Sequence, residues 1–92
     1  MLLRFSQQGI QKIKEGPSRV EAAKKLCRVL GGEVRQFYAL MGQYDAALIV
    51  EAPADEAATK IGLALSSLGN IRTETLRAFT ETEYRALIAG LP

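Results

Sequence analysis

Short apolar runs and longer helical stripes alternate along the chain, and their order predicts the fold. Strands are predicted where apolar or alternating residues fill short runs between turn signals: 2–6, 33–41, 45–51 and 71–79. Helices are predicted where apolar residues recur every three or four positions: 18–30, 53–68 and 80–91. This order indicates an α+β fold, the ferredoxin-like βαββαβ arrangement with a four-stranded antiparallel sheet and an added C-terminal helix. Residues 1–92 form a single domain in this prediction.

Local signals refine these elements. The polar segment 7–17 contains two glycines and a proline, so it is predicted to be mostly loop with at most a short helical turn. Ser18 and Thr80 each precede a glutamate by three positions, which predicts a capping box at the start of two helices. Gly62 lies inside a predicted helix at a cost of ~1 kcal/mol relative to alanine, which indicates close packing against a neighbour.

Both faces of the predicted sheet carry apolar residues. Strand alternation places Phe37 and Ala39 on one face and Tyr38 and Leu40 on the other, and the strand at 45–51 is apolar on both sides as well. Right-handed crossovers place two helices on one face only. If the other face stayed in water, each large side chain on it would lose ~1.5–3 kcal/mol of hydrophobic stabilisation. We therefore expect a second copy of the chain to cover it, as a homodimer or a higher homo-oligomer.

Several motifs carry a resemblance to a known family. They are Met41-Gly42-Gln43-Tyr44-Asp45, Val50-Glu51-Ala52-Pro53, Leu68-Gly69-Asn70 and Arg72-Thr73-Glu74-Thr75-Leu76-Arg77-Ala78-Phe79. In this order, over nearly the whole chain, they resemble the GYD domain family. The resemblance implies a dimeric α+β barrel, in which two ferredoxin-like sheets pack face to face. It implies no established reaction, because the family is largely uncharacterised. One departure is Ala54, where the family more often has an acid at the helix start.

Composition and charge narrow the function classes. A net charge of +2 without a strongly basic cluster argues against nucleic acid as a partner. No apolar run approaches the ~20 residues that span a bilayer and no signal peptide is recognised, so we expect no membrane partner and a cytoplasmic location. The chain has one cysteine, Cys27, and no histidine. We therefore expect Cys27 to be a core residue, and we expect no metal and no cofactor.

The first candidate site is the predicted hairpin turn. The hydroxyl of Tyr44 and the carboxylate of Asp45 would bind or polarise a small polar ligand there. The structural alternative is that Gly42 adopts a positive φ angle, Asp45 bonds turn amides and the ring of Tyr44 packs at the barrel rim. The sequence leaves both open.

The second candidate site is the last predicted strand. Alternation places Thr73, Thr75 and Arg77 on one face, where the threonines would donate hydrogen bonds and Arg77 would clamp an anion. The structural alternative is an ion pair between subunits, joining Arg72 or Arg77 to Glu74.

These candidates favour a homodimer that binds a small organic ligand in a cleft between sheet and helices. A second hypothesis is a cofactor-free dimeric-barrel enzyme that uses Tyr44, Asp45 and Arg77, and a third is a structural or protein-partner module. Catalysis faces an obstacle, since without histidine a base near neutral pH requires a shift of ~3 pKa units in Asp45 or Tyr44. Whether the protein is an enzyme stays open at this level.

Overall fold

A four-stranded antiparallel sheet with two long helices on one face forms the body of the protein. The computed structural model describes residues 1–92. The strands are β1 (Leu2–Phe5), β2 (Glu33–Ala39), β3 (Ala46–Glu51) and β4 (Ile71–Glu74). The helices are α1 (Gln7–Gln11), α2 (Gly16–Val29), α3 (Asp55–Ser67) and α4 (Glu81–Ala89), with a 3₁₀ turn at Ile13–Glu15. The sheet order β2-β3-β1-β4 with antiparallel neighbours confirms the predicted ferredoxin-like α+β fold.

The hydrophobic core lies between the sheet and the helices α2 and α3. Its buried members are Leu3, Cys27, Ala46, Leu48, Ile61 and Leu65. Cys27 of α2 has no exposed surface, which confirms its prediction as a core residue. Burial raises the pKa of the Cys27 thiol above its usual value, and the charge of Glu33 raises it further.

The opposite face of the sheet, called the open face below, has no helix packed on it. The predicted alternation is confirmed in β3, where Leu48 is buried on the helix side while Ile49 stays 49% exposed. One row of residues crosses the open face from β2 to β4. It consists of Tyr38, Ala47, Leu2 and Glu74, each directly opposite the next. Tyr38 in this row is also 49% exposed.

The segment between β1 and α2 is helical rather than loop, so this part of the prediction is wrong. The hydroxyl of Ser6 caps α1 by accepting the Gly9 N–H at 3.1 Å. Helix α2 begins at Gly16 with Pro17 in its first turn, a position where the missing proline N–H costs nothing. The Ser18 hydroxyl therefore donates to the Glu15 carbonyl at 2.8 Å, and the predicted capping box at Ser18 does not form. The capping box at Thr80 is confirmed.

Strand β4 ends at Glu74, five residues earlier than predicted. In the sheet Glu74 lies opposite Leu2, where β1 begins, so the residues after Glu74 have no strand of this chain opposite them. Residues 75–92, called the arm below, include α4, and no residue of α4 is buried. The arm elongates the molecule to 51 Å, and the radius of gyration of 14.7 Å exceeds the ~12 Å of a compact chain of this length.

Candidate functional site

A cluster of polar side chains lies on the open face where β1 pairs with β4. Its members, called the polar corner below, are Arg4, Tyr44, Arg72 and Glu74. They border a depression of about 170 Å³ that Leu2 and Thr73 also line. Leu3 points into the core, so strand alternation turns Leu2 and Arg4 to the open face. The polar corner therefore faces away from the helices.

Tyr44 is the centre of the polar corner. The turn before it contains Gly42 with a φ of +112°, the positive angle that belonged to the structural alternative for this turn. The Tyr44 hydroxyl donates a hydrogen bond to Oε2 of Glu74, and the Arg4 guanidinium lies 4.8 Å from the centroid of the Tyr44 ring. The hydrogen bond to the Glu74 carboxylate raises the pKa of Tyr44, helped by desolvation and opposed by the charge of Arg4. At neutral pH the phenol therefore keeps its proton and acts as a donor.

Asp45 joins the β2–β3 hairpin to β1. Its carboxylate Oδ2 accepts the Phe5 N–H at 2.8 Å, and its own N–H donates to the Leu3 carbonyl at 2.8 Å. The prediction that the Asp45 carboxylate accepts hydrogen bonds from turn amides is wrong, because this carboxylate accepts a hydrogen bond from the neighbouring strand instead. These contacts give Asp45 a structural role, but in joining the hairpin to β1 and not in the turn as the structural alternative described. They also fix the position of Tyr44 relative to β1.

Two arginines of the polar corner lie side by side without a carboxylate partner. Arg4 and Arg72 are directly opposite each other in the antiparallel pair of β1 and β4, and both are exposed. Neither has a carboxylate oxygen within 4.0 Å, whereas Arg28, Arg35, Arg77 and Arg85 each form an ion pair. Sequence reasoning considered Arg72 only as an ion-pair partner and missed Arg4. A signal for both was present in the sequence. Each arginine directly follows an apolar residue in its predicted strand, and strand alternation then turns the arginine to the opposite face of the sheet.

The remaining predicted ligand residues lie elsewhere. The hydroxyl of Thr73 is 3.2 Å from that of Ser66 on α3, so it faces the helices. Thr75 lies beyond the end of β4, and its hydroxyl is next to Gly62 of α3, which confirms the close packing predicted there. Arg77 also lies beyond β4.

The contacts of Arg77 separate it from the polar corner. Its Nη1 is 3.7 Å from Oδ2 of Asp55 at the start of α3, and its guanidinium is 5.0 Å from the centroid of the Phe79 ring. Tyr44 instead contacts Glu74 and Arg4. The structure therefore does not bring the side chains of Tyr44 and Arg77 into one set of contacts.

Comparison with known families agrees with the motifs in the turn and in β4. The model of the GYD domain matches residues 1–88 of the 92-residue chain. The chain belongs to the GYD domain family. No curated protein and no solved structure matches it. None of the helices in this GYD domain combines the length and the hydropathy that a membrane span requires.

The polar corner of this GYD domain supplies positive charge and hydrogen-bond donors. The two guanidiniums have N–H groups without a carboxylate partner, while the Tyr44 hydroxyl already donates to Glu74. Arginine stays protonated at any physiological pH, so this charge is permanent. The arrangement suits the binding of a small molecule with acceptor atoms better than the removal of a proton.

Proposed function

We propose that this GYD domain protein is a homodimer that binds a small organic molecule at the polar corner, between the open faces of its two copies. The observation that carries the proposal is the open face itself. Apolar side chains and the polar corner share one sheet surface that no helix of the chain covers. A binding site of this kind needs apolar walls with a few polar groups that orient the ligand.

The apolar part of the open face supports the homodimer. Tyr38 on the edge strand β2 and Ile49 on the inner strand β3 are each 49% exposed, and a packed partner would exclude water from both. A second copy of the chain presents the same surface, and a two-fold axis would bring both open faces together. Sheets packed face to face lie about 10 Å apart, and the side chains of both faces interdigitate in this space.

Helix α4 supports the same assembly from a second surface. Its apolar stripe of Tyr84, Leu87 and Ile88 is exposed, and so is Leu91 just beyond the end of the helix. A helix of nine residues is marginal in water without tertiary packing. The stripe therefore needs a cover that the body of its own chain does not supply, and the homodimer provides one within reach of the arm.

The ligand site proposed here is on the open face, whereas the sequence analysis placed it in the cleft between sheet and helices. On the helix side, the hydroxyls of Thr73 and Thr75 are packed against α3, close to Gly62. On the open face, the depression of about 170 Å³ is smaller than the roughly 300–1,000 Å³ of typical ligand pockets. Two copies facing each other would enclose a larger space.

No observation favours the enzymatic alternative. The raised pKa of Tyr44 makes it a poorer base at neutral pH, and the carboxylate of Asp45 is engaged by the Phe5 N–H. The cytoplasmic location and the absence of nucleic-acid and membrane partners stay predictions.

The assembly is tested by sedimentation velocity and native mass spectrometry on the wild type, Ile49→Lys and Leu63→Lys. Leu63 on α3 is the matched control, because it is 66% exposed on the helix side of the body. We expect a dimer for the wild type and for the control, and a monomer for Ile49→Lys. A monomeric wild type, or a dimeric Ile49→Lys variant, would contradict the homodimer.

Ligand binding is tested by thermal shift against a set of small organic molecules. A ligand at 100 times its dissociation constant stabilises the folded state by about 2.7 kcal/mol, and this raises the midpoint temperature of unfolding measurably. We expect the shift to be lost in Tyr44→Ala and kept in Leu63→Ala, since Leu63 is exposed on the helix side of the body. Equal shifts in both variants would place the ligand elsewhere.

A further inference from the structure

We infer that the ligand of the polar corner is a small organic carboxylate, held as a monoanion between the guanidiniums of Arg4 and Arg72. The inference rests on the proposed function and names the chemical class that the site selects. Its basis is the pairing of two like charges across β1 and β4.

The strand register makes this pair unfavourable in the empty site. Residues directly opposite each other in an antiparallel sheet have Cβ atoms ~4.5–5.5 Å apart, and like charges at such positions destabilise the sheet. Arg4 and Arg72 occupy such positions, and neither has a carboxylate of the chain within 4.0 Å. An anion between the guanidiniums would replace this repulsion with two attractive contacts.

Tyr44 holds one of the two guanidiniums in place. The Arg4 guanidinium lies over the Tyr44 ring, and the Tyr44 hydroxyl is fixed by its hydrogen bond to Glu74. The turn that presents Tyr44 is in turn tied to β1 through Asp45. A positioned guanidinium loses less conformational entropy when it binds an anion than a free one does. The polar corner is therefore preorganised for binding an anion.

The charge count favours a monoanion. Arg4 and Arg72 contribute +2 and Glu74 contributes −1, which leaves a net charge of +1 at the polar corner. A phosphate dianion would exceed this charge and would meet the carboxylate of Glu74. A carboxylate is a monoanion, and its two oxygens match the paired N–H groups of a guanidinium.

The surroundings favour an apolar group attached to the carboxylate. Leu2 lines the depression, and the neighbouring position in the row across the open face is the small residue Ala47. Beyond it lies the half-exposed ring of Tyr38. The short side chain of Ala47 leaves space between two larger neighbours, where a ring or a short aliphatic chain would pack.

The test is a titration of the full-length protein with sodium benzoate, followed by amide chemical shifts in ¹⁵N-labelled samples. Benzamide serves as a neutral probe of the same shape, and inorganic phosphate serves as an anion without an apolar group. The variants are Arg4→Gln and Arg72→Gln, with Arg28→Gln on α2 as the matched control.

We expect benzoate to shift amides of β1, β4 and the turn at Tyr44. Its affinity falls about tenfold or more in Arg4→Gln and in Arg72→Gln, because each loses a charge-assisted hydrogen bond, and is unchanged in Arg28→Gln. Benzamide and phosphate bind more weakly than benzoate by a similar factor in the wild type.

Three results would overturn the inference while leaving the homodimer intact: benzamide that binds as well as benzoate, phosphate that binds better, or a dimer that shows no benzoate shifts. Loss of the dimer in Arg4→Gln and Arg72→Gln would also overturn it, since the guanidiniums would then pair with carboxylates of the second copy. A wild type that is monomeric would instead contradict the proposed function itself.

Discussion

Gly9 and Gly62 both lie where chain segments approach each other closely, and they differ in what surrounds them. A Cβ atom built on Gly9 of α1 would lie 2.1 Å from the backbone carbonyl oxygen of Asn70. That oxygen also accepts the Ser6 N–H at 3.0 Å, so it is held in place. A Cβ atom on Gly62 of α3 would lie 3.3 Å from the Thr75 hydroxyl, which belongs to an exposed side chain outside any strand.

These surroundings predict opposite effects for the same substitution. Gly9→Ala should lower the free energy of unfolding by about 1–3 kcal/mol, because the backbone at Asn70 has to move. Gly62→Ala should be neutral or stabilising by up to ~1 kcal/mol, since alanine favours the helix and the Thr75 side chain can turn away. Urea denaturation of both variants gives the two values. A Gly9→Ala variant as stable as the wild type would contradict the close approach.

The residues of the candidate site were only partly predictable. Tyr44 and Asp45 were found because they follow a glycine turn, and turns place polar side chains at the ends of strands. Arg4 and Arg72 were not found as a pair, because their meeting depends on the register of β1 and β4, which are far apart in the sequence. Arg77 was wrongly assigned to the strand because its segment alternates like one.

The elements were predictable where the signal was local. Alternation in β2 and β3 predicted the open face, and the residues at Thr80 predicted the start of α4. The helical segment before α2 is held in part by the side chain of Arg19, which lies in α2. The Arg19 side chain donates to the Gly9 carbonyl at 3.0 Å and also to that of Lys12, which satisfies acceptors near the end of α1. No local pattern shows such a contact.

The capping box of α4 predicts a pH dependence. The Thr80 N–H donates to the Glu83 carboxylate at 3.0 Å, which lowers the pKa of Glu83 below its usual value of 4.5. Since the pKa of the folded state is the lower one, the stabilisation is complete above about pH 4.5 and is lost as the pH falls through the folded value. The first turn of α4 should therefore fray in acid, as ¹³Cα shifts of residues 81–84 would show.

The control for this prediction is Glu83→Gln, which keeps a side-chain oxygen for the Thr80 N–H and removes the titrating group. Its α4 shifts should change much less than those of the wild type between about pH 6 and about pH 3. The same acid fraying in wild type and variant would exclude Glu83 as the responsible group.

The whole molecule has a thin core for its length. Only nine of its 92 residues are buried, all in the body, while the arm contributes none. Apolar side chains of the open face and of α4 are left exposed at the same time. Both features follow from the proposed homodimer, in which the cover of these side chains would depend on the protein concentration.

Amide hydrogen exchange at several protein concentrations tests this dependence. Amides of α4 should exchange slowly at about 100 µM protein and faster at about 1 µM, because dilution separates the copies and uncovers the helix. Amides of α3 near Ile61 and Leu65 are the internal reference, since these residues are buried within one chain. Exchange in α4 that is independent of concentration would show that a second copy does not cover this helix.

The complete burial of Cys27 makes the protein well suited to site-directed labelling. It is the single cysteine of the chain, it has no exposed surface, and its raised pKa keeps it in the unreactive thiol form. A cysteine introduced at exposed Ser67 would therefore react alone with a maleimide spin label or fluorophore. In a symmetric pair of chains the two labels would report one distance, and pulsed resonance spectroscopy could measure it without removing any native residue of the core.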